Sequence, residues 1–252
     1  ATEPIGKLLA KLALPTIAAQ LINMLYNIVD RIYIGHIPDT GAMALTGVGV
    51  CMPLIMIITA FAALVGNGGA PRATIFMGKN KKDDAEKILA NCFTMQILLS
   101  VILTVVLLIW NRDFLLAFGA SANTIEYAAS YMNIYALGTI FVQLTLGMNA
   151  FITAQGFAKE GMLSVLIGAI ANIILDPIFI FGLHMGVRGA ALATVISQCC
   201  SCIWVISFLF GKRTTLRIRG KNMGLKAAYI LPCLALGSAI FIMQGSESII
   251  SV

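Results

Sequence analysis

The sequence predicts an all-α membrane protein: a bundle of six membrane-spanning helices, followed by the start of a seventh. Three observations carry this. Of the 252 residues, 59% are apolar and only 11% are charged, well below the roughly 25% charged of an average soluble domain. The apolar residues gather into runs at about 12–34, 44–66, 88–110, 128–151, 162–183 and 189–210, each reaching the roughly 20 residues that cross a bilayer as a helix. The basic residues also sort by loop. Lys7, Lys11, Arg72, Lys79, Lys81, Lys82, Lys87, Lys159, Lys212, Arg213, Arg217, Arg219, Lys221 and Lys226 fall on one side, against Arg31, Arg112 and Arg188 on the other. That 14 to 3 division places the N-terminus in the cytoplasm.

The first span carries Gln20, Asn23, Asn27 and Asp30 at steps of three, four and three, which keeps them on one helical face. Tyr26 sits one turn before Asp30, and Pro15 near the start of the span predicts a kink. After the second span, Gly66-Asn67-Gly68-Gly69-Ala70-Pro71 and the charged stretch 79–88 read as a short cytoplasmic turn and a surface helix. These glycines do not make a nucleotide site, because the preceding strand and the following Lys-Ser/Thr are missing.

Glu126, Tyr127, Tyr131 and Tyr135 open the fourth span as an interfacial belt. The fifth carries Asn172 and Asp176 at i and i+4, with Pro177 directly after the acid. Proline cannot donate to the carbonyl of Ile173, so a kink there frees a backbone oxygen beside the two side chains. The sixth opens with the small-residue stretch Gly186 to Thr194, which lets helices approach closely. With the preceding turn centred near Met185, Asp176 and Thr194 lie at one depth, about 13 Å below it at 1.5 Å per residue.

These boundaries divide the chain into a lobe at 1–211, a basic cytoplasmic connector at 212–226, and a seventh helix at 227–252 that reads as truncated. An even number of spans precedes the connector, so a second six-helix unit would be a parallel repeat.

Two acids inside apolar spans are the chemical signal. An ionised carboxylate at the bilayer centre costs about 2.5 to 3.5 kcal/mol on insertion scales, and such groups usually serve ions or protons. Side-chain oxygens and a loosened carbonyl suit a hard cation, so Asp30, Asn172, Asp176 and Thr194 form the candidate site for Na+ or H+, with Gln20, Asn23, Tyr26 and Asn27 as a supporting polar stripe. The competing structural reading makes the amides helix glue and leaves the proline kink to satisfy its own neighbours.

Cys199-Cys200-Ser201-Cys202 lacks nearby His partners and reads as core packing, as do the methionines. There is no His-Glu-x-x-His, Gly-x-Ser-x-Gly or Asp-rich metal motif. The chain is therefore read as a non-enzyme with no catalytic residues, no cofactor beyond a coupling ion, and no nucleic-acid partner.

These residues carry a family resemblance. Leu14-Pro15 leading to Val29-Asp30, the Gly66 to Pro71 segment, Ala154-Gln155-Gly156, Asn172 to Pro177, and Gly186 to Thr194 together resemble the N-terminal half of a multidrug and toxic compound extrusion (MATE) transporter of the bacterial efflux type. The resemblance implies one lobe of a twelve-helix antiporter in the bacterial cytoplasmic membrane. Its substrates would be amphiphilic, mostly cationic drug-like compounds, exchanged for Na+ or H+, and its partner a second six-helix lobe absent from this chain. It also implies the cation site at Asp30, Asn172, Asp176 and Thr194.

A lipid-linked-precursor flippase of the same broad fold is the nearest alternative, but it requires cationic residues inside the cavity, and none of the 17 Lys and Arg lies mid-span. A non-transporting membrane subunit is the alternative outside transport.

Overall fold

A computed structural model describes residues 5–250. The chain folds into eight α-helices: α1 (Ile5–Gly35), α2 (Gly41–Gly78), α3 (Lys82–Ala117), α4 (Ile125–Leu137), α5 (Thr139–Ala154), α6 (Ala158–Pro177), α7 (Val187–Phe210) and α8 (Ala227–Ile250). Among the described residues, six helices are long and apolar enough to cross a membrane, and the bent pair α4 and α5 meets the same length and composition test when taken together. The turns at 79–81 and 155–157 and the segment 211–226 share one face with the start of α1, here termed the basic face.

The fourth apolar run is broken. α4 and α5 meet at Gly138 with a bend of 58°, and Val195 on α7 packs so closely there that its γ-methyls and Cβ occupy the space a side chain at 138 would take. The amide of Gly138 donates to Tyr135 and Ile134 carbonyls, at 2.9 and 3.3 Å, and the helix restarts at Thr139 in a new direction.

The glycine segment after the second span is not a loop. α2 continues through it to Gly78, and only residues 79–81 separate it from α3, so no separate surface helix forms at 79–88. The 38 residues of α2 extend about 57 Å at 1.5 Å per residue, beyond the roughly 30 Å hydrocarbon layer. α2 and α3 thus form a helical hairpin longer than the hydrocarbon layer is thick. The glycines serve packing: at Gly68 and Gly237 the backbones of α2 and α8 come so close that a Cβ on either would strike the other helix's backbone.

α8 is thus bound along α2. Phe61 and Phe241 pack with ring centroids 4.9 Å apart, and the Ser248 hydroxyl donates to the Pro53 carbonyl at 2.8 Å. The connector is equally ordered. Leu216 and Ile218 are buried, the Leu216 amide donates to Gln155 Oε1 at 2.7 Å, the Lys226 amide donates to Asn91 Oδ1 at 2.8 Å, and Arg219 pairs with buried Glu86 at 2.9 Å.

Two apolar clusters stack along the bundle axis, one near the face opposite the basic one and one near the basic face. Buried amides tie helices together as interhelical glue. Gln143 donates to the Ile58 carbonyl at 2.7 Å and Gln96 to the Ala62 carbonyl at 2.9 Å, both from a neighbouring helix onto α2.

α1 is a continuous helix across Pro15, whose ring is buried. At Pro177 the α-helix does end, and Ile178–Gly182 forms a wider π turn in which the Leu183 amide reaches the Ile178 carbonyl at 2.8 Å. A proline without an N–H cannot sustain the regular ladder, and the chain relaxes into the wider turn beyond it.

Candidate functional site

The structure brings α1 and α6 together at the two acids. Asp30 is 8% exposed, Asn172 2% and Asp176 fully buried, and the carboxyl groups of Asp30 and Asp176 lie close enough to act on one another electrostatically. Asn172 donates its amide to Asp176 Oδ1 at 3.3 Å, as the i to i+4 spacing requires. Arg31, next in sequence to Asp30, is a positive charge acting on that carboxylate.

Three oxygens at this site have no protein hydrogen-bond partner: Asp30 Oδ1, Asn172 Oδ1 and Asp176 Oδ2. Buried amides elsewhere, such as Gln96 and Gln143, also leave an oxygen open, yet none of those stands beside a second carboxyl group. A buried unpartnered acceptor costs about 1–3 kcal/mol, more when charged. Oxygen donors of this kind match the preference of hard cations, and two facing carboxyls can equally hold a proton between them.

Thr194 sits at the edge of the cluster. Its hydroxyl donates to the Ala190 carbonyl of its own helix at 3.0 Å, and its side chain lies close to that of Tyr131. Tyr131 in turn lies within the electrostatic reach of Asp30, so Thr194 joins the acids through a tyrosine.

The expected interfacial belt is therefore corrected. Tyr131 and Tyr135 are 3% and 5% exposed and stack with ring centroids 6.1 Å apart, because α4 packs inward against α2, α3 and α7. Their spacing of four, on one helical face, was the available signal; Glu126 and the half-buried Tyr127 do lie at the rim, with Glu126 paired to Arg112 at 2.9 Å.

The supporting stripe divides in two. Tyr26 lies within the electrostatic reach of Asp30, and exposed Asn27 donates to the Asn23 carbonyl at 2.7 Å. Gln20 and Asn23 instead line a separate cavity of about 550 Å³ toward the basic face. Among the described residues no group of three or more His, Cys, Asp or Glu side chains is placed to hold a metal ion, so Cys199, Cys200 and Cys202 are free thiols.

Comparison with known proteins follows the same outline. The chain is 28% identical over 239 residues to the multidrug export protein MepA of Staphylococcus haemolyticus, covering 95% of this chain and 52% of that protein. It superposes on an outward-facing multidrug resistance MATE family transporter of the MOP superfamily with a TM-score of 0.88 at 27% identity, covering 96% of this chain and 53% of the other. The inward-facing conformation of such a transporter gives 0.84 at 27% identity, with 93% and 55% covered. The chain thus spans about half the length of the relatives it matches. The family model MatE matches residues 15–178, a stretch that contains both acids, and the chain belongs to the MatE family of multidrug and toxic compound extrusion transporters.

Proposed function

We propose that this chain is the first lobe of an efflux antiporter and that Asp30, Asn172 and Asp176, with Thr194 at the margin, bind the coupling cation. The observation that supports this reading is that Asp30, Asn172 and Asp176, neighbouring buried side chains, each keep one oxygen without a protein hydrogen-bond partner. Two ionised carboxylates carry two negative charges. One Na+ or one proton halves that charge and supplies the missing partner, so the loaded and empty states differ in electrostatic energy and bias different shapes of the lobe.

The substrate follows from the relatives, which are multidrug exporters, and an amphiphilic cation is the class that a charged, loadable site can exchange for. The second lobe is the proposed partner. α1 presents Leu14, Ile17, Leu21, Met24, Leu25 and Ile28 as exposed apolar residues, a face that requires lipid or protein beside it. The likeness of one lobe to both outward- and inward-facing relatives suits a lobe that rocks largely as a unit. The proposed orientation places the basic face in the cytoplasm.

The deciding experiment reconstitutes the intact transporter in liposomes and measures drug efflux driven by a Na+ gradient at fixed pH, then by a pH gradient without Na+. Efflux driven by either gradient, and lost in Asp176→Asn, supports the site. Gradient-driven efflux that survives that substitution refutes it.

A further inference from the structure

A second polar feature lies on the same face of α1 as Asp30. The wall of the cavity of about 550 Å³ is mostly apolar, but it carries six uncharged hydrogen-bonding side chains from three helices: Thr16, Gln20 and Asn23 of α1, Asn67 of α2, and Asn149 and Thr153 of α5. None of its lining residues is acidic or basic. It opens beside the 155–157 turn, with Ala154 and Ala158 in its wall, and so belongs to the basic-face half of the bundle. Asn149 donates to the Gly161 carbonyl at 3.4 Å, but its Oδ1 is buried with no partner.

Lipid tails offer nothing to such groups, and empty cavities in proteins are apolar. At about 30 Å³ per water, a cavity of this size has room for on the order of ten molecules, and its six amide and hydroxyl side chains offer them hydrogen-bond partners. The stripe on α1 continues the line beyond the cavity. Thr16, Gln20, Asn23, Asn27 and Asp30 follow at steps of four, three, four and three. Asn23, at the inner end, is about 10 Å along the helix from Asp30, and exposed Asn27, which donates to the Asn23 carbonyl, lies between them. An uncharged lining has a further consequence. Neutral oxygens stabilise a passing monovalent cation without trapping it, whereas a carboxylate in the wall would compete with the acid pair.

We propose that this cavity is a water-filled vestibule through which the coupling cation passes between the basic-face solution and the Asp30–Asp176 pair, within the lobe itself; the role rests on the reading of that pair as the cation site. The cation class is a hydrated monovalent ion or a proton carried along water.

The test uses cysteine accessibility in this chain reconstituted in vesicles, with its six native cysteines replaced by serine or alanine. Asn149→Cys, and Met162→Cys on the same wall as an independent probe, are exposed to a charged, membrane-impermeant thiosulfonate from each side. Both are expected to react from the basic face alone, and modified Asn149→Cys is expected to slow Na+ or proton exchange at the acid pair while equilibrium cation affinity stays unchanged. Reaction with a lipid-soluble maleimide but not with the charged reagent, or reaction from the opposite face, overturns the vestibule. Cation binding is measured in parallel in Asp30→Asn. Its loss there, with no labelling at 149 or 162, overturns the vestibule alone; its survival overturns the acid pair as the cation site, and with it the route.

Discussion

At the scale of single residues, the two acids differ from every other buried polar group in the bundle. Amides such as Gln143 donate across to a neighbouring helix and hold it, whereas Asp30 and Asp176 face one another with open oxygens. Removing one charge from a membrane interior leaves packing nearly intact but takes away the counter-charge of the proposed cation. Asp30→Asn and Asp176→Asn are each expected to abolish coupled efflux by the intact transporter at unchanged membrane expression. Wild-type drug resistance at matched expression would contradict the assignment.

Tyr131 permits a finer test. Its side chain lies close to Thr194 and within the electrostatic reach of Asp30, and a hydrogen bond from a hydroxyl so placed contributes about 0.5–1.5 kcal/mol. Tyr131→Phe should therefore weaken apparent cation affinity by up to about tenfold, with maximal efflux retained. An unchanged cation dependence would reduce Tyr131 to a packing residue.

At the scale of helices, close approach is bought with glycine. α8 lies against α2 where Gly68 and Gly237 leave no room for a Cβ, while a Cβ at Gly245, further along α8, meets nothing within 4 Å. Gly68→Val or Gly237→Val should cost about 1–3 kcal/mol by overpacking and release α8 from the lobe. Thermal unfolding and protease sensitivity of the 211–226 segment report this, with Gly245→Val as the neutral control. Equal behaviour of all three variants would show that the α2–α8 contact contributes little to stability. The π turn after Pro177 is the other element-level device, since it ends the α6 ladder within one residue of Asp176.

At the scale of the molecule, the exposed apolar face of α1 and the half-length match to MepA lead to one expectation. Alternating access in such folds needs one repeat to move against another, so this chain alone should form no drug gradient in liposomes, and co-reconstitution with a second lobe should restore it. Gradient formation by the chain as a monomer, established by cross-linking, would refute the dependence on a second lobe.

Local periodicity was enough to determine the spans, the polar face of α1 and the Asn172–Asp176 pair, because helical geometry fixes which side chains share a face whatever surrounds them. Bilayer thickness and composition did the same for the membrane class. Only the tertiary structure decided what each face meets. The Gly66 to Pro71 segment has the composition of a turn, yet it remains helical, with Gly66 against Gly147 of α5, Gly68 against α8, and Gly69 against Cys92 and Phe151. Tyr131 and Tyr135 have the placement of an interfacial belt, yet α4 turns them inward toward the acid pair. The close packing that calls for glycine at 138 is with Val195, which lies 57 positions away in the chain. In each case the deciding partner is distant in sequence, and a pattern that repeats every 3.6 residues carries no information about it.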